Sequence, residues 1–229
     1  MILTVAGVGP GDPELVTIGA LKAVARADIV LAPCSGSGKD SVAEKIIRAH
    51  LPKIRTVPFI FPMTSNARER NNLIREQLAG MSAKLKSAAS VVLPVIGDSA
   101  LYATGSYLFD IWKEIDSSAE LRLIPGISAH SLAASRAASF LAMADQTLTV
   151  ISGTAGREAV KKALLGTDVA AVYKPSALKN ALNQVTQEAG PWKRIIRVDR
   201  AGLPGERITE GGEALAGECE YLSILLLWR

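Results

Sequence analysis

Apolar residues in this chain come in short runs, each followed by a glycine- or proline-bearing break and then a stretch of helical spacing. The first run, Ile2-Leu3-Thr4-Val5-Ala6, enters Gly7-Val8-Gly9-Pro10-Gly11-Asp12-Pro13. β-Branched and aliphatic residues ahead of such a cluster predict a buried strand ending in a tight loop. Leu15, Ile18, Leu21 and Val24 then recur near helical spacing, so a helix follows. The alternation continues with strands expected at 27–32 (stopped by Pro33), 54–57, 90–96 and 120–124. Helices are expected at 41–50, 66–86 and 104–115. The segment from Phe59 to Ser65 is apolar but bounded by prolines, which makes a poor strand and suits a pocket wall or a loop packed on the core.

The second half has another rhythm. An alanine-rich helix is expected over 128–144, then strands at 147–152, 169–174, 194–198 and 221–228, with helices near 158–165 and 176–189. The Gly202-Leu203-Pro204-Gly205 turn and the residues after it suit a further strand or hairpin. The last run, Tyr221 to Trp228, is continuously apolar and belongs inside a sheet. The expected fold class is α/β with two α/β domains, 1–125 and 126–229. The first has a five-stranded parallel sheet and the second a mixed sheet.

Three predicted strand ends carry glycine turns: Gly7 to Gly11, Gly97-Asp98 and Pro125-Gly126. If the strands are parallel, the turns gather along one sheet edge, where α/β folds bind ligands. The first loop lacks the last glycine of a dinucleotide fingerprint, having Asp12 there, and Pro10 and Pro13 remove amides a pyrophosphate would use. No Gly-Lys-Ser/Thr follows, so it is not a phosphate loop of the Walker type.

The 229 residues are 48% hydrophobic and 21% charged, an ordinary globular balance that excludes general disorder. The net charge of +4 is scattered, which suits a small anionic ligand better than nucleic acid. The two cysteines, Cys34 and Cys219, lie far apart without metal spacing. With no signal-like N-terminus and no bilayer-length apolar run, the expectation is a soluble cytoplasmic protein with no membrane or metal partner. No nucleophile–His–acid order is evident. Asp98 suits ligand contact or an Asx turn. His130 follows the Pro125-Gly126 turn and suits proton transfer or packing, and His50 a surface helix end. Arg68, Arg70 and Arg75 suit a solvated helix face, with an anionic ligand near Pro62 the alternative for Arg68 and Arg70.

The glycine loop at 7–15, the Gly97-Asp98 turn and Ile124-Pro125-Gly126-Ile127-Ser128 together resemble the tetrapyrrole methylase family. Ser152-Gly153-Thr154 and Arg200-Ala201-Gly202-Leu203-Pro204-Gly205-Glu206 are similar to its second-domain motifs. Within the family, Phe61-Pro62-Met63-Thr64 and the stretch from Leu101 to Leu108 resemble the precorrin-2 C20-methyltransferases of cobalamin synthesis. The resemblance implies S-adenosylmethionine-dependent C-methylation of a tetrapyrrole by a homodimer, with the cofactor between the domains. By position it implies that Pro10, Ile96, Gly97, Asp98, Leu101, Ser128, Ala129, Tyr173, Lys174 and Ala201 line the cofactor site, largely through backbone. It names no catalytic side chain. Two residues depart from the pattern: Ser99 stands where proline is usual, and Lys174 where an apolar residue is common. Arg68, Arg136 and Lys174 are candidates to meet substrate carboxylates. Alternatives are a uroporphyrinogen-III or other corrin-ring methylase, a diphthine or ribosomal-RNA methylase, and a non-catalytic binder of tetrapyrrole or cofactor. The lack of a Gly-Gly-Asp-Pro-Phe run disfavours the uroporphyrinogen enzyme, and the absent basic arm disfavours RNA.

Overall fold

The computed structural model describes residues 1–64 and 66–229; Ser65, the last residue of the expected pocket-wall segment, lies outside them. The chain divides into two compact units, Met1–Ser128 and Ala129–Arg229. The first unit comprises β1 (Ile2–Gly7), α1 (Ile18–Arg26), β2 (Ile29–Cys34), α2 (Val42–His50), β3 (Val57–Ile60), α3 (Ala67–Gly80), α4 (Ser82–Ser87), β4 (Ser90–Val95), α5 (Gly105–Ile115) and β5 (Glu120–Ile124). Its five strands lie in the order β3-β2-β4-β1-β5, all parallel.

Alternation along the strands divides the core into two layers. Leu3, Val5, Val91, Leu93 and Val95 face Ile74, Leu78, Leu85, Leu108 and Trp112 of α3, α4 and α5. Ala6 and Val92 face Ala20, Val24, Ile46 and Ile47 of α1 and α2. Thr17 caps α1 by accepting the Ala20 amide at 3.1 Å, and Ser41 caps α2 by accepting Glu44's.

The structure corrects several expected boundaries. Pro33 does not stop the second strand: β2 pairs β4 only through Ile29 and Val30, then runs on against β3 to Cys34. Having left the β4 ladder, it tolerates a residue without an amide donor. The third strand is Val57–Ile60 rather than 54–57, so Phe59 and Ile60 belong to a strand after all. It is an edge strand, and so accommodates Pro58. Gln77 of α3 covers that edge: Oε1 accepts the Ile60 amide at 2.7 Å and Nε2 donates to its carbonyl at 2.9 Å. The long helix expected over 66–86 breaks at Met81 into α3 and α4.

The second unit comprises α6 (Ala129–Arg136), β6 (Leu148–Ser152), α7 (Arg157–Leu165), β7 (Val169–Tyr173), α8 (Ala181–Glu188), β8 (Arg194–Asp199), β9 (Arg207–Glu210) and β10 (Ser223–Trp228). The sheet order is β6-β7-β10-β8-β9; β6 and β7 are parallel, while β10 runs antiparallel to β7 and β8. Ala170, Val172, Leu225 and Leu227 pack against Val160, Leu164, Leu182 and Val185. The helix expected over 128–144 stops at Arg136, because side chains from the sheet take up the backbone that follows. Arg194 donates to the Ala137 carbonyl at 3.3 Å and to the Ser139 hydroxyl, while Trp228 Nε1 donates to the Phe140 and Leu141 carbonyls at 3.0 and 3.1 Å. The helix expected over 176–189 begins with a separate 3-10 turn, Pro175–Leu178, before α8.

Both sheets are pinned at their amino ends by an aspartate. Asp28, just before β2, accepts the amides of Ala89 and Ser90 at 2.9 and 2.8 Å. Asp168, just before β7, accepts the amide and hydroxyl of Thr147 at 2.8 and 2.7 Å. These bonds hold both carboxyls below their ordinary value, the Ser90 and Thr147 backbone amides contributing most.

Candidate functional site

β4, β1 and β5 are adjacent and parallel, so the three glycine turns that follow them stand side by side. They are sewn together through backbone. Gly97 N–H donates to the Gly9 carbonyl at 2.8 Å, Gly9 N–H donates back at 3.3 Å, and Val8 N–H donates to the Val95 carbonyl at 2.9 Å. Asp98 completes the joint: Oδ1 accepts the Ala100 amide at 2.8 Å, and Oδ2 accepts the Gly126 amide at 2.9 Å. Asp98 is therefore both the Asx-type turn former and the tie between two of the turns.

Only glycine fits where the turns meet. A Cβ on Gly7 would lie 2.6 Å from both the Gly97 carbonyl and the Gly126 nitrogen, and one on Gly126 would lie 2.3 Å from that carbonyl. Gly97 is different. It is buried, with φ of +77°, yet a Cβ there would meet nothing within 4 Å. The turn thus presents bare backbone to open space, as a ligand cradle requires. Pro10 is buried directly after the Gly9–Gly97 bridge, and Ile96 and Leu101 flank the same turn, half-buried. Tyr102 takes a left-handed backbone, φ +52°. Ser128 ends this unit, just beyond Gly126. The edge therefore brings together Pro10, Ile96, Gly97, Asp98 and Leu101.

His50 supports this edge from behind. Its Nε2 lies 2.8 Å from the Pro13 carbonyl, which joins the end of α2 to the first loop.

The other expected cofactor residues, Ala129, Tyr173, Lys174 and Ala201, belong to the second unit. β6, β7 and β8 run in one direction, so Ser152, Tyr173 and Asp199 end at one edge of the second sheet. Lys174, directly after β7, is left-handed (φ 50°, ψ 48°), and its carbonyl accepts the Ala177 amide at 3.0 Å. A Cβ on Gly153 would lie 2.5 Å from that carbonyl. Arg200, directly after β8, is also left-handed, φ +56°, and Ala201 follows it buried. His130 meets Tyr173: Nδ1 lies 2.7 Å from the Tyr173 hydroxyl, with the rings edge to face at 5.8 Å.

Under the Arg200–Ala201 turn lies a charged cluster that the sequence reading missed. Arg197 and Asp199 are 3% and 0% exposed and form an ion pair at 3.2 Å. Asp199 also accepts the Ser223 hydroxyl at 2.6 Å and Arg207 Nη2 at 2.8 Å. Arg197 donates to the carbonyls of Ala214 and Ala216 at 3.0 and 3.1 Å. The available signal was an Arg and an Asp two apart, on one face of a strand whose other face carries Ile196 and Val198. Burial raises the nearby Cys219 thiol, partly offset by Arg197.

The cations expected to reach an anionic ligand fare differently. Arg70 lies over the Tyr107 ring, 3.8 Å from its centroid. Arg136 pairs with Glu206 at 3.2 Å, and Glu206 also accepts the Gly202 amide. Arg68 is exposed in the first turn of α3. Among the described residues, no helix is long and apolar enough to cross a membrane.

Comparison with known proteins joins these features. A family model described as tetrapyrrole (corrin/porphyrin) methylases matches residues 2–215. The chain is 30% identical to a cobalt-precorrin-2 C(20)-methyltransferase of Salmonella typhimurium over 200 residues, 87% of this chain and 83% of the relative. It is 26% identical to a precorrin-2 C(20)-methyltransferase of a Sinorhizobium species, over 96% of this chain and 92% of the relative. In fold it is similar to a uroporphyrin-III C-methyl transferase from Thermus thermophilus, solved in complex with S-adenyl homocysteine. That likeness has a TM-score of 0.72 at 19% identity and covers 100% of this chain and 98% of the other. The chain belongs to the tetrapyrrole (corrin/porphyrin) methylases.

Proposed function

We propose that this protein transfers a methyl group from S-adenosylmethionine to C20 of precorrin-2 or its cobalt form, in cobalamin biosynthesis. The observation that carries the reading is the backbone cradle at Gly97, open on one side and locked on the other by Gly7, Gly126 and Asp98. The names of the relatives supply the acceptor.

The residues suit the cofactor. The cradle is uncharged backbone, and both oxygens of Asp98 are engaged by amides. At this turn a sulfonium ligand meets the dipoles of a fixed backbone. The residues assigned to it are Pro10, Ile96, Gly97, Asp98, Leu101, Ser128, Ala129, Tyr173, Lys174 and Ala201. The cofactor supplies an electrophilic methyl on sulfur. The protein's part is orientation. Well-aligned reactants can gain roughly 7–11 kcal/mol over free encounter, so no covalent enzyme intermediate is needed. The turns suit that task because they are over-determined: the first two are joined by backbone hydrogen bonds, and the Asp98 carboxylate ties the second to the third.

The proposal includes a cytoplasmic homodimer. Exposed apolar residues, among them Leu121 and Leu123 of the edge strand β5, support a second copy as partner. Sedimentation should give twice the chain mass. Turnover with S-adenosylmethionine and enzymatically prepared precorrin-2, with and without cobalt, tests the reaction by mass and by NMR of a labelled methyl. One methyl at C20 is the expected product. No methylation, despite calorimetric binding of the cofactor, overturns the assignment.

A further inference from the structure

We infer that the Ser99 hydroxyl is a cofactor-binding group that hydrogen-bonds an oxygen of S-adenosylmethionine, an inference that rests on the cofactor reading given above. Ser99 is only 6% exposed, and its Oγ has no hydrogen-bond partner in the protein. Native proteins leave few buried polar atoms in this state, because an unmet hydroxyl costs free energy in a dry site. Serine in a turn ordinarily bonds a nearby backbone amide. Here Asp98 has taken the amide of Ala100, the next residue along. Gly97 is also paired, through both its N–H and its carbonyl to Gly9. The leftover group in the turn is the serine hydroxyl.

That hydroxyl stands two positions from the Gly97 cradle, where buried backbone faces open space. A polar ligand against Gly97 would supply the missing partner. The cofactor carries two kinds of acceptor oxygen, the ribose hydroxyls and the α-carboxylate. S-adenosylhomocysteine has both, whereas 5′-methylthioadenosine has only the ribose.

The test compares the wild-type chain with Ser99→Ala in calorimetric titrations with both ligands, and in thermal unfolding of the free proteins. Removing an unmet hydroxyl should leave the free variant at least as stable as wild type, while its affinity for S-adenosylhomocysteine falls about three- to tenfold. A parallel loss for 5′-methylthioadenosine assigns the bond to the ribose, and a loss for S-adenosylhomocysteine alone assigns it to the carboxylate. Wild-type affinity of the variant for both ligands overturns the inference and leaves the cofactor site standing. A lowered melting temperature also overturns it, since the argument requires the opposite sign. If the wild-type chain binds neither ligand, the cofactor site fails and this assignment fails with it.

Discussion

The two sheets end in loops built on opposite strategies. At the carboxyl edge of the first, three turns touch backbone to backbone, and glycine is demanded because any Cβ at Gly7 or Gly126 would enter a neighbouring peptide. At the corresponding edge of the second, the chain turns through left-handed Lys174 and Arg200, which are not glycines. Such residues pay a conformational cost of about 1 kcal/mol each and persist only where their surroundings over-determine them. Around Lys174 the surroundings are the packed Gly153 and the 3-10 turn; around Arg200 they are the Leu222 carbonyl and the buried Asp199 cluster. One edge is rigid through absent side chains, the other through bonds that hold side-chain-bearing residues in place. Substitutions should separate the two.

The largest effect should come from Gly126→Ala. A methyl 2.3 Å from the Gly97 carbonyl cannot be relieved by a rotamer, only by parting the turns. Loss of more than about 4 kcal/mol in denaturant unfolding is expected, and a loss below about 1 would break the backbone-contact account. Next is Asp199→Ala in the second unit. It strips a fully buried carboxylate from Arg197 and Ser223, and breaking such a pair costs about 3–5 kcal/mol. The same measurement checks it. Gly97→Ala sharpens the contrast within the first edge. Its methyl meets nothing, so stability should fall by only about 1 kcal/mol, the cost of a left-handed alanine. Affinity for S-adenosylhomocysteine should nevertheless collapse, because the methyl fills the cradle. A variant that binds normally would remove Gly97 from the site.

This contrast explains what the sequence made legible. Parallel strands separated by helices are written in short apolar runs such as Ile2 to Ala6, and the glycine turns after them mark the ligand edge. Non-local demands were not visible. Pro33 sits inside a strand because β2 has already left one neighbour, and Phe59 joins a strand because Gln77, far along the chain, covers the edge. The alanine-rich segment after Arg136 has helical composition, but Arg194 and Trp228 claim its carbonyls. Asp98 was legible as a turn former, yet its bond to Gly126 depends on strand order. Lys174 and Arg200 carry no local sign of a left-handed backbone, since lysine and arginine ordinarily avoid it.

The smallest effect concerns the opposite ends of the sheets, where the two units behave alike. Asp28 and Asp168 each have a pKa lowered from the ordinary 3.8, chiefly by backbone amides of Ser90 and Thr147. A carboxyl with a lowered folded-state pKa binds fewer protons than its unfolded counterpart between the two values, so stability rises with pH across that window. The contribution is complete above the ordinary carboxylate value and is lost as pH falls through the lowered one. Asp28→Asn and Asp168→Asn should therefore flatten the acid limb of the stability profile below about pH 4, each by a similar small amount. Urea midpoints across that range measure it. Unequal flattening would mean that only one sheet depends on its aspartate, and the likeness of the two amino ends would then be geometric without being energetic.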